Sequence, residues 1–596
     1  MSKNKGRLGL SLAALLLSLA VGNSPAVAQD GDGNQGNNQG NPRIRRVLLL
    51  SIDGFHRKDL SRWVSSHPQS ALAGLTRHGT TYTNATTTTP SDSFPGLLAL
   101  VTGGTPKSTG VYYDDSYDRS LYAPGNFTCE NNIGGGPGTE VVLDETIDNH
   151  TDLLFSNGIN PDFLPRKRTA GGQCVPVFPH DFITVNTIFE VIKAAGLHTA
   201  WSDKHPAYDL VNGPSGAGVE DLYTPEVNSL VINGGNNVNG VDLASSLAGC
   251  NATNSLVNIG GVSVYTDCVP TIEAYDDVKV QAVINQIDGK ASDGSASTNG
   301  VPAIFGMNFQ AVSVGQKLTV AGYTDAAGTP SPALADALAH TDASIGRMVA
   351  ELKKQSLLND TLIIVSAKHG QSPINRKILQ MKAGATQAAP NNDVTDPGDI
   401  LAASGNPVVS EVDAITFANP KQTNGGGPYS TSGHLQTDDV GIIWLSDSSA
   451  ANASAADSDL TTNAAAIHAT TLPAGTIFKS NITSGPSLAA IFGDPTVPGS
   501  LAAVRAPNVF IQPNEGVIYS GSKKKIAEHG GGAPGDIDVA LLVSANFLGQ
   551  STVDAAVRTT QVAPTILQAL GLNPKTLQAV VQEGTQVLPE FLDNTQ

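Results

Sequence analysis

The sequence predicts an α/β fold, with a mostly parallel central sheet, helices on both faces and long loop insertions. Short apolar runs recur at 46–52, 197–202, 302–309, 361–366, 440–446 and 538–544, each short enough for a strand buried on both faces. Helical stretches fit between them at 94–103, 183–195, 331–355 and 561–571. Strand and helix in alternation imply a mostly parallel sheet with helices on both faces. No internal repeat of solenoid length is visible.

Taken in chain order, residues 1–28 read as an export signal. Lys3, Lys5 and Arg7 precede an apolar run from Leu8 to Val21, and Ala26-Val27-Ala28 offers a small-residue cleavage site. The stretch 29–43 is polar and Gly/Asn-rich, with nothing apolar to bury, so it reads as a disordered linker. Residues 44–596 remain for the folded chain, with insertions near 120–180, 205–300 and 375–520. No later apolar run is long enough to span a membrane. Four cysteines, Cys129, Cys174, Cys250 and Cys268, lie mid-chain, and an exported chain favours two disulfides. Of the three possible pairings, Cys129–Cys174 with Cys250–Cys268 is the simplest.

Charge limits the partners. The chain carries 35 basic and 53 acidic residues, a formal net charge of −18. Such a balance repels nucleic-acid polymers and anionic membranes. It leaves small molecules as the expected ligands, and any phosphate site needs local cations. The oligomeric state is not encoded in any feature of the sequence.

The first apolar run ends in Ser51-Ile52-Asp53-Gly54, which delivers Asp53 to the carboxyl end of a strand, where open α/β sheets keep their sites. Pro90-Ser91-Asp92-Ser93-Phe94-Pro95 opens the next helix and places the Ser93 hydroxyl at its positive end. Ser91 is the competing hydroxyl. Run 361–366 exits into Lys368-His369-Gly370, His529 sits in a glycine loop before 538–544, and Asp325 precedes the long helix starting near Ser331. Carboxylates and imidazoles gathered at one sheet edge suit Zn²⁺ or a related divalent ion. Asp336 and His340 share a helix face at i,i+4 spacing, more simply a solvated face than a metal site. His205, Tyr112, Tyr113 and Lys523–Lys525 are secondary candidates for the cleft.

Asp53 in its turn, the Pro-Ser-Asp-Ser-Phe-Pro segment, the Val-Thr-Gly-Gly run, His369-Gly370 and His529-Gly530 occur in an order that resembles the type I phosphodiesterase/nucleotide pyrophosphatase branch of the alkaline phosphatase superfamily. The resemblance spans 47–543. It implies an alkaline-phosphatase-like sandwich, a phosphate-ester or nucleotide substrate, a phosphoryl-serine intermediate on Ser93, and one or two divalent metals. Asp53 and His369 would hold one ion, Asp325 and His529 the other, with Ser93 joining as nucleophile and ligand.

The chain departs from that pattern at three points. Lys368 stands where the family has Asp, Thr329 where it has a second His, and Asp114 where an Asn stabilises the oxyanion. Expected from these departures is a Lys368–Asp114 pair that tunes the charge and leaves one strongly held ion or two weakly held ones. A phosphomonoesterase, phosphonate hydrolase or sulfatase of the same superfamily is the first alternative, since fold does not fix substrate. A degenerate binding protein is the second.

Overall fold

The computed structural model describes residues 44–591 apart from 131–136, 150–157, 227–236, 257–264, most of 375–432, 446–447, 464–481 and most of 514–524. The leader and linker, residues 1–43, and the lysines Lys523 and Lys524 lie outside the described residues.

Eight strands form the central sheet: β1 (Arg46–Ile52), β2 (Gly79–Tyr82), β3 (Ala200–Ser202), β4 (Asp221–Tyr223), β5 (Ile304–Phe309), β6 (Thr361–Ser366), β11 (Leu542–Ser544) and β12 (Ser551–Val553). A separate four-stranded sheet holds β7 (Gly433–Thr437), β8 (Gly441–Leu445), β9 (Ile482–Ser484) and β10 (Val509–Ile511). Spatial order in the central sheet is β12-β2-β11-β6-β1-β5-β3-β4. β1 pairs in parallel with both β5 and β6, and β3 continues the parallel run from β5 to β4. β11 is the exception, antiparallel to β6 and β2.

β1 explains why the sheet takes this form. Val47 to Leu50 are fully buried, so this strand is covered on both faces and sits at the centre. Long helices supply the cover, notably α2 (Val269–Ile287) and α3 (Pro332–Lys354), with α1 (Ser93–Thr102) and α4 (Val562–Ala569) packed on each other. Every residue of α1 is buried, which is why its sequence is apolar all round.

The α/β class and the parallel core match the sequence reading. One predicted strand is corrected: the run 440–446 belongs to the small sheet, because apolar β8 pairs with β7 and β10 and buries Trp444 among Tyr112, Phe492 and Phe510. A second correction concerns 205–300, read as a loop insertion. It contains the 19-residue helix α2 and the edge strand β4, and α2 carries 14 buried positions, so no amphipathic stripe marks it. Cys129–Cys174 and Cys250–Cys268 are both disulfide-bonded. Among the described residues no helix is long and apolar enough to cross a membrane.

One close approach positions the site. A Cβ on Gly96, in the first turn of α1, would sit 2.1 Å from the carbonyl oxygen of Lys368. Only glycine lets the helix start lie against the strand exit. Gly96→Ala is therefore expected to cost at least about 1–3 kcal/mol by overpacking and to separate Ser93 from His369. Thermal unfolding checks it; an unchanged Tm with full activity would contradict the close approach.

Candidate active site

Asp53 leaves the end of β1 with its N–H on the Phe309 carbonyl at 2.9 Å. The next residue, Gly54, has φ of 74°, and its N–H reaches the His369 carbonyl at 3.1 Å. Asp53 is 2% exposed. Its Oδ2 accepts from Asn308 Nδ2 at 3.0 Å, while Oδ1 has no hydrogen-bond partner. Burial alone would raise its pKa. Lys368, Lys204, His369 and Asn308 overcome that and hold the carboxyl well below its ordinary value.

Ser93 is the first residue of α1, with Asp92 as N-cap accepting from the Phe94 N–H at 2.8 Å. Its Oγ lies 3.3 Å from His369 Nε2 and 3.4 Å from Lys204 Nζ. Ser91 is committed elsewhere: its Oγ accepts from the Gly530 N–H at 3.1 Å. His369 Nδ1 lies 2.8 Å from the Gly370 carbonyl. A carbonyl only accepts, so the proton resides on Nδ1 and the Nε2 lone pair faces Ser93 and Asp53, 3.7 Å from Asp53 Oδ1. Burial lowers the His369 pKa to about 4, which keeps the ring neutral. His529 stacks on it, with ring centroids 3.6 Å apart.

These residues line a cavity of about 380 Å³ together with Asp92, Asp114, Asp438, Glu528, Lys204, Lys317 and Lys525. His205 also lines it, beside the stacked rings of Phe94 and Tyr208. Tyr112 and Tyr113 do not; they are buried in the core under the small sheet. His340 pairs with Asp277 at 3.3 Å, apart from the cavity.

Two expected placements are corrected. Lys368 does not pair with Asp114; its Nζ binds Asp203 Oδ1 at 2.9 Å, with both side chains fully buried. Burial pulls the Lys368 pKa down to about 8, partly offset by Asp203 and Asp53. Asp114 lines the same cavity, where burial and then Asp92, Asp115, Asp438 and Asp144 push its pKa well above the ordinary value. Asp325 is the other correction. It stands in solvent on a turn, its carboxylate accepting from the Thr329 N–H at 3.0 Å, and it does not line the cavity.

The donor set limits what metal could bind. Tetrahedral donors about 2.0–2.1 Å from a zinc ion stand roughly 3.3–3.4 Å from one another. Ser93 Oγ, His369 Nε2 and the unpartnered Asp53 Oδ1 are spaced close to this, at 3.3 and 3.7 Å along the chain of three. Among the described residues no group of three His, Cys, Asp or Glu side chains is arranged to hold a metal; this trio offers two such side chains and a hydroxyl.

Asn308, Asp203 and Lys204 were missed in the sequence. Lys204 had a legible signal, since Asp203-Lys204-His205 follows a predicted strand just as Lys368-His369 does. Glu528 was also missed, and it anchors the His529 loop. It binds Lys317 Nζ at 2.7 Å and also Lys525. Burial would raise its pKa, but the two lysines lower it from 4.5 to about 2. A depressed folded-state pKa contributes stability that is present above the unfolded value and lost as pH falls from 4.5 towards 2. Glu528→Gln should therefore unfold at lower temperature at neutral pH and show a flatter decline of Tm across that acid window. Parallel Tm–pH curves for the two proteins would contradict this role.

The family model described as Type I phosphodiesterase / nucleotide pyrophosphatase matches residues 47–198 and 313–531, more than half of the chain. Solved structures similar to this chain include murine ectonucleotide pyrophosphatase / phosphodiesterase 5 in an inactive form complexed with AMP, at 12% identity and a TM-score of 0.45, covering 89% of this chain and 96% of that one. The human ectonucleotide pyrophosphatase / phosphodiesterase 5 matches at 13% identity and a TM-score of 0.46, covering 89% and 95%. No curated protein sequence matches. With motifs and cavity drawn from both matched segments, the chain belongs to the type I phosphodiesterase/nucleotide pyrophosphatase family.

Proposed function

We propose that this chain is an exported hydrolase of phosphate esters, acting on phosphodiesters or nucleotide pyrophosphates through a phosphoryl-Ser93 intermediate. The observation that carries the reading is the position of Ser93 Oγ at the start of α1, 3.3 Å from a neutral His369 nitrogen and opening on the cavity. The two disulfides agree with an oxidising compartment.

Asp53, His369 and Ser93 are the residues that would hold a divalent ion, Zn²⁺ by their mixed N/O character. Such an ion would supply Lewis acidity to the serine oxygen and to the phosphoryl group. The chain's own groups do the rest. The α1 N-terminus stabilises negative charge on Ser93 Oγ. His369 keeps its Nε2 lone pair directed at that oxygen because Gly370 fixes the tautomer. Lys368 is locked on Asp203 and acts through the field it exerts on Asp53.

Burial and neighbouring carboxyls push the Asp114 pKa well above its ordinary value and so favour its protonated form. That form can donate an O–H hydrogen bond, as a carboxamide would, at the position where the family has Asn.

The carboxyls at the cavity also order the candidate substrates. Among the described residues Asp92, Asp144, Glu145 and Asp438 line it beside three lysines, two of which are already engaged by Glu528. A dianionic monoester meets more repulsion there than a monoanionic diester or sulfate ester. Diesters come first and sulfate esters are the second reading.

A panel of bis(4-nitrophenyl) phosphate, 4-nitrophenyl phosphate and 4-nitrophenyl sulfate tests this on the wild type and Ser93→Ala, with and without chelator. Expected are preferential turnover of the diester, loss on chelation, and a fall of about 10⁴-fold or more in Ser93→Ala. Acid-quenched mass spectrometry should find phosphate on Ser93. Full activity in Ser93→Ala would overturn the reading.

A further inference from the structure

We propose that Lys204 is a catalytic residue of this site: its ammonium holds the Ser93 oxygen and a non-bridging oxygen of the transferring group, in the place a second cation would occupy. The inference rests on the phosphoryl-Ser93 reading.

The positive charges near the cavity are not equivalent. Lys317 and Lys525 both engage Glu528. Lys368 is fully buried on Asp203, with its Nζ 4.0 Å over the Tyr208 ring, and does not line the cavity. Lys204 differs from all three. Its Nζ lies 3.4 Å from Ser93 Oγ and 3.7 Å from Asp53 Oδ2, its side chain is 19% exposed, and it lines the cavity. It therefore approaches the nucleophile with its ammonium open to an incoming oxyanion.

The backbone fixes it there. Asp203 Oδ2 accepts from Trp201 Nε1 at 3.0 Å, and its Oδ1 accepts from the Lys204 N–H at 2.9 Å. On the other side His205 precedes the turn Pro206–Asn212 and packs on Phe94 and Tyr208. With both neighbours immobilised, the ammonium is aimed before substrate arrives, which is the condition for electrostatic stabilisation at low reorganisation cost.

The chemistry balances with Lys204 protonated throughout. The Ser93 proton leaves to water. The Oγ–P bond forms as the P–O bond to the alcohol breaks, and the departing alkoxide takes a proton from water. A second water molecule then attacks phosphorus, the Oγ–P bond breaks, and Ser93 regains a proton. Negative charge sits on Ser93 Oγ before attack and again as that bond breaks, and the ammonium faces it at both moments. A point charge of this kind stabilises oxygen without acting as a Lewis acid.

The test uses Lys204→Ala and Lys204→Met beside the wild type and Ser93→Ala, with bis(4-nitrophenyl) phosphate. Expected is a fall in kcat of about 10²- to 10³-fold in both Lys204 variants, at unchanged Tm, with partial recovery of Lys204→Ala in added ethylammonium. A second readout needs no turnover. Calorimetry with inorganic phosphate on chelator-treated, folded protein should show binding to the wild type, weakened about tenfold or more in Lys204→Ala. A kcat within about threefold of wild type in Lys204→Ala, while Ser93→Ala is inactive, would overturn the role of Lys204 alone. So would a loss of activity with neither ethylammonium rescue nor weakened phosphate binding, or no phosphate binding by the chelated wild type. Full activity in Ser93→Ala would instead overturn the parent reading.

Discussion

A carboxylate buried at the end of the central strand is the constraint to which the rest of the site answers. An isolated ion in such a place would cost several kcal/mol, so Asp53 must be surrounded by donors and positive charge. Asn308 donates from the neighbouring strand, and Lys368 and Lys204 supply the positive charge. Asn308 is itself held: its carbonyl accepts from Lys279 at 2.7 Å, and Lys279 pairs with Asp276 at 2.9 Å with both side chains fully buried. The sheet thus presents one charged oxygen, Oδ1, without a protein partner. That oxygen, not the general likeness of the fold, makes the site suited to a cation.

The second design feature is the mixing of lysines and carboxyls around the cavity. Lys204 interacts with Asp53, Asp203, Asp92 and Glu145, and Lys525 with Glu528, Asp438 and Asp114. Burial raises the pKa of Asp114 well above its ordinary value, with Asp92, Asp115 and Asp438 adding to it; burial also raises Asp92 to about 6 against the pull of Lys204 and Lys368, and Asp438 to about 7 with Glu528 adding. In their protonated forms these carboxyls can donate hydrogen bonds. A site with fewer metal donors can still bind an oxyanion if ammonium groups and protonated carboxyls replace the missing charge.

Much of this was legible in the sequence because the signals are local. Asp53 follows an apolar run, Ser93 opens an apolar helix, and His369 follows another run; each rule places one side chain at the same sheet edge, and the structure brings Asp53, Ser93, His369 and His529 to one cavity. What failed depends on distant partners. Lys368 binds Asp203, 165 residues away, so nothing near it named its partner. Asp325 was assigned by spacing within a loop, where register is weak, and the chain uses it to cap an exposed turn with Thr329. An apolar run announces a buried strand but not which sheet receives it, hence the misplacement of 440–446. Helix α2 escaped because burial around most of its circumference removes the periodic stripe that marks a helix.

The most direct test of the central claim is a zinc-soaked crystal measured at the zinc absorption edge. The account predicts a single strong anomalous peak per chain bounded by Asp53, Ser93 and His369, with Lys204 and Lys368 still as ammonium neighbours. Two well-occupied peaks, or one centred on His529 away from Asp53, would contradict it.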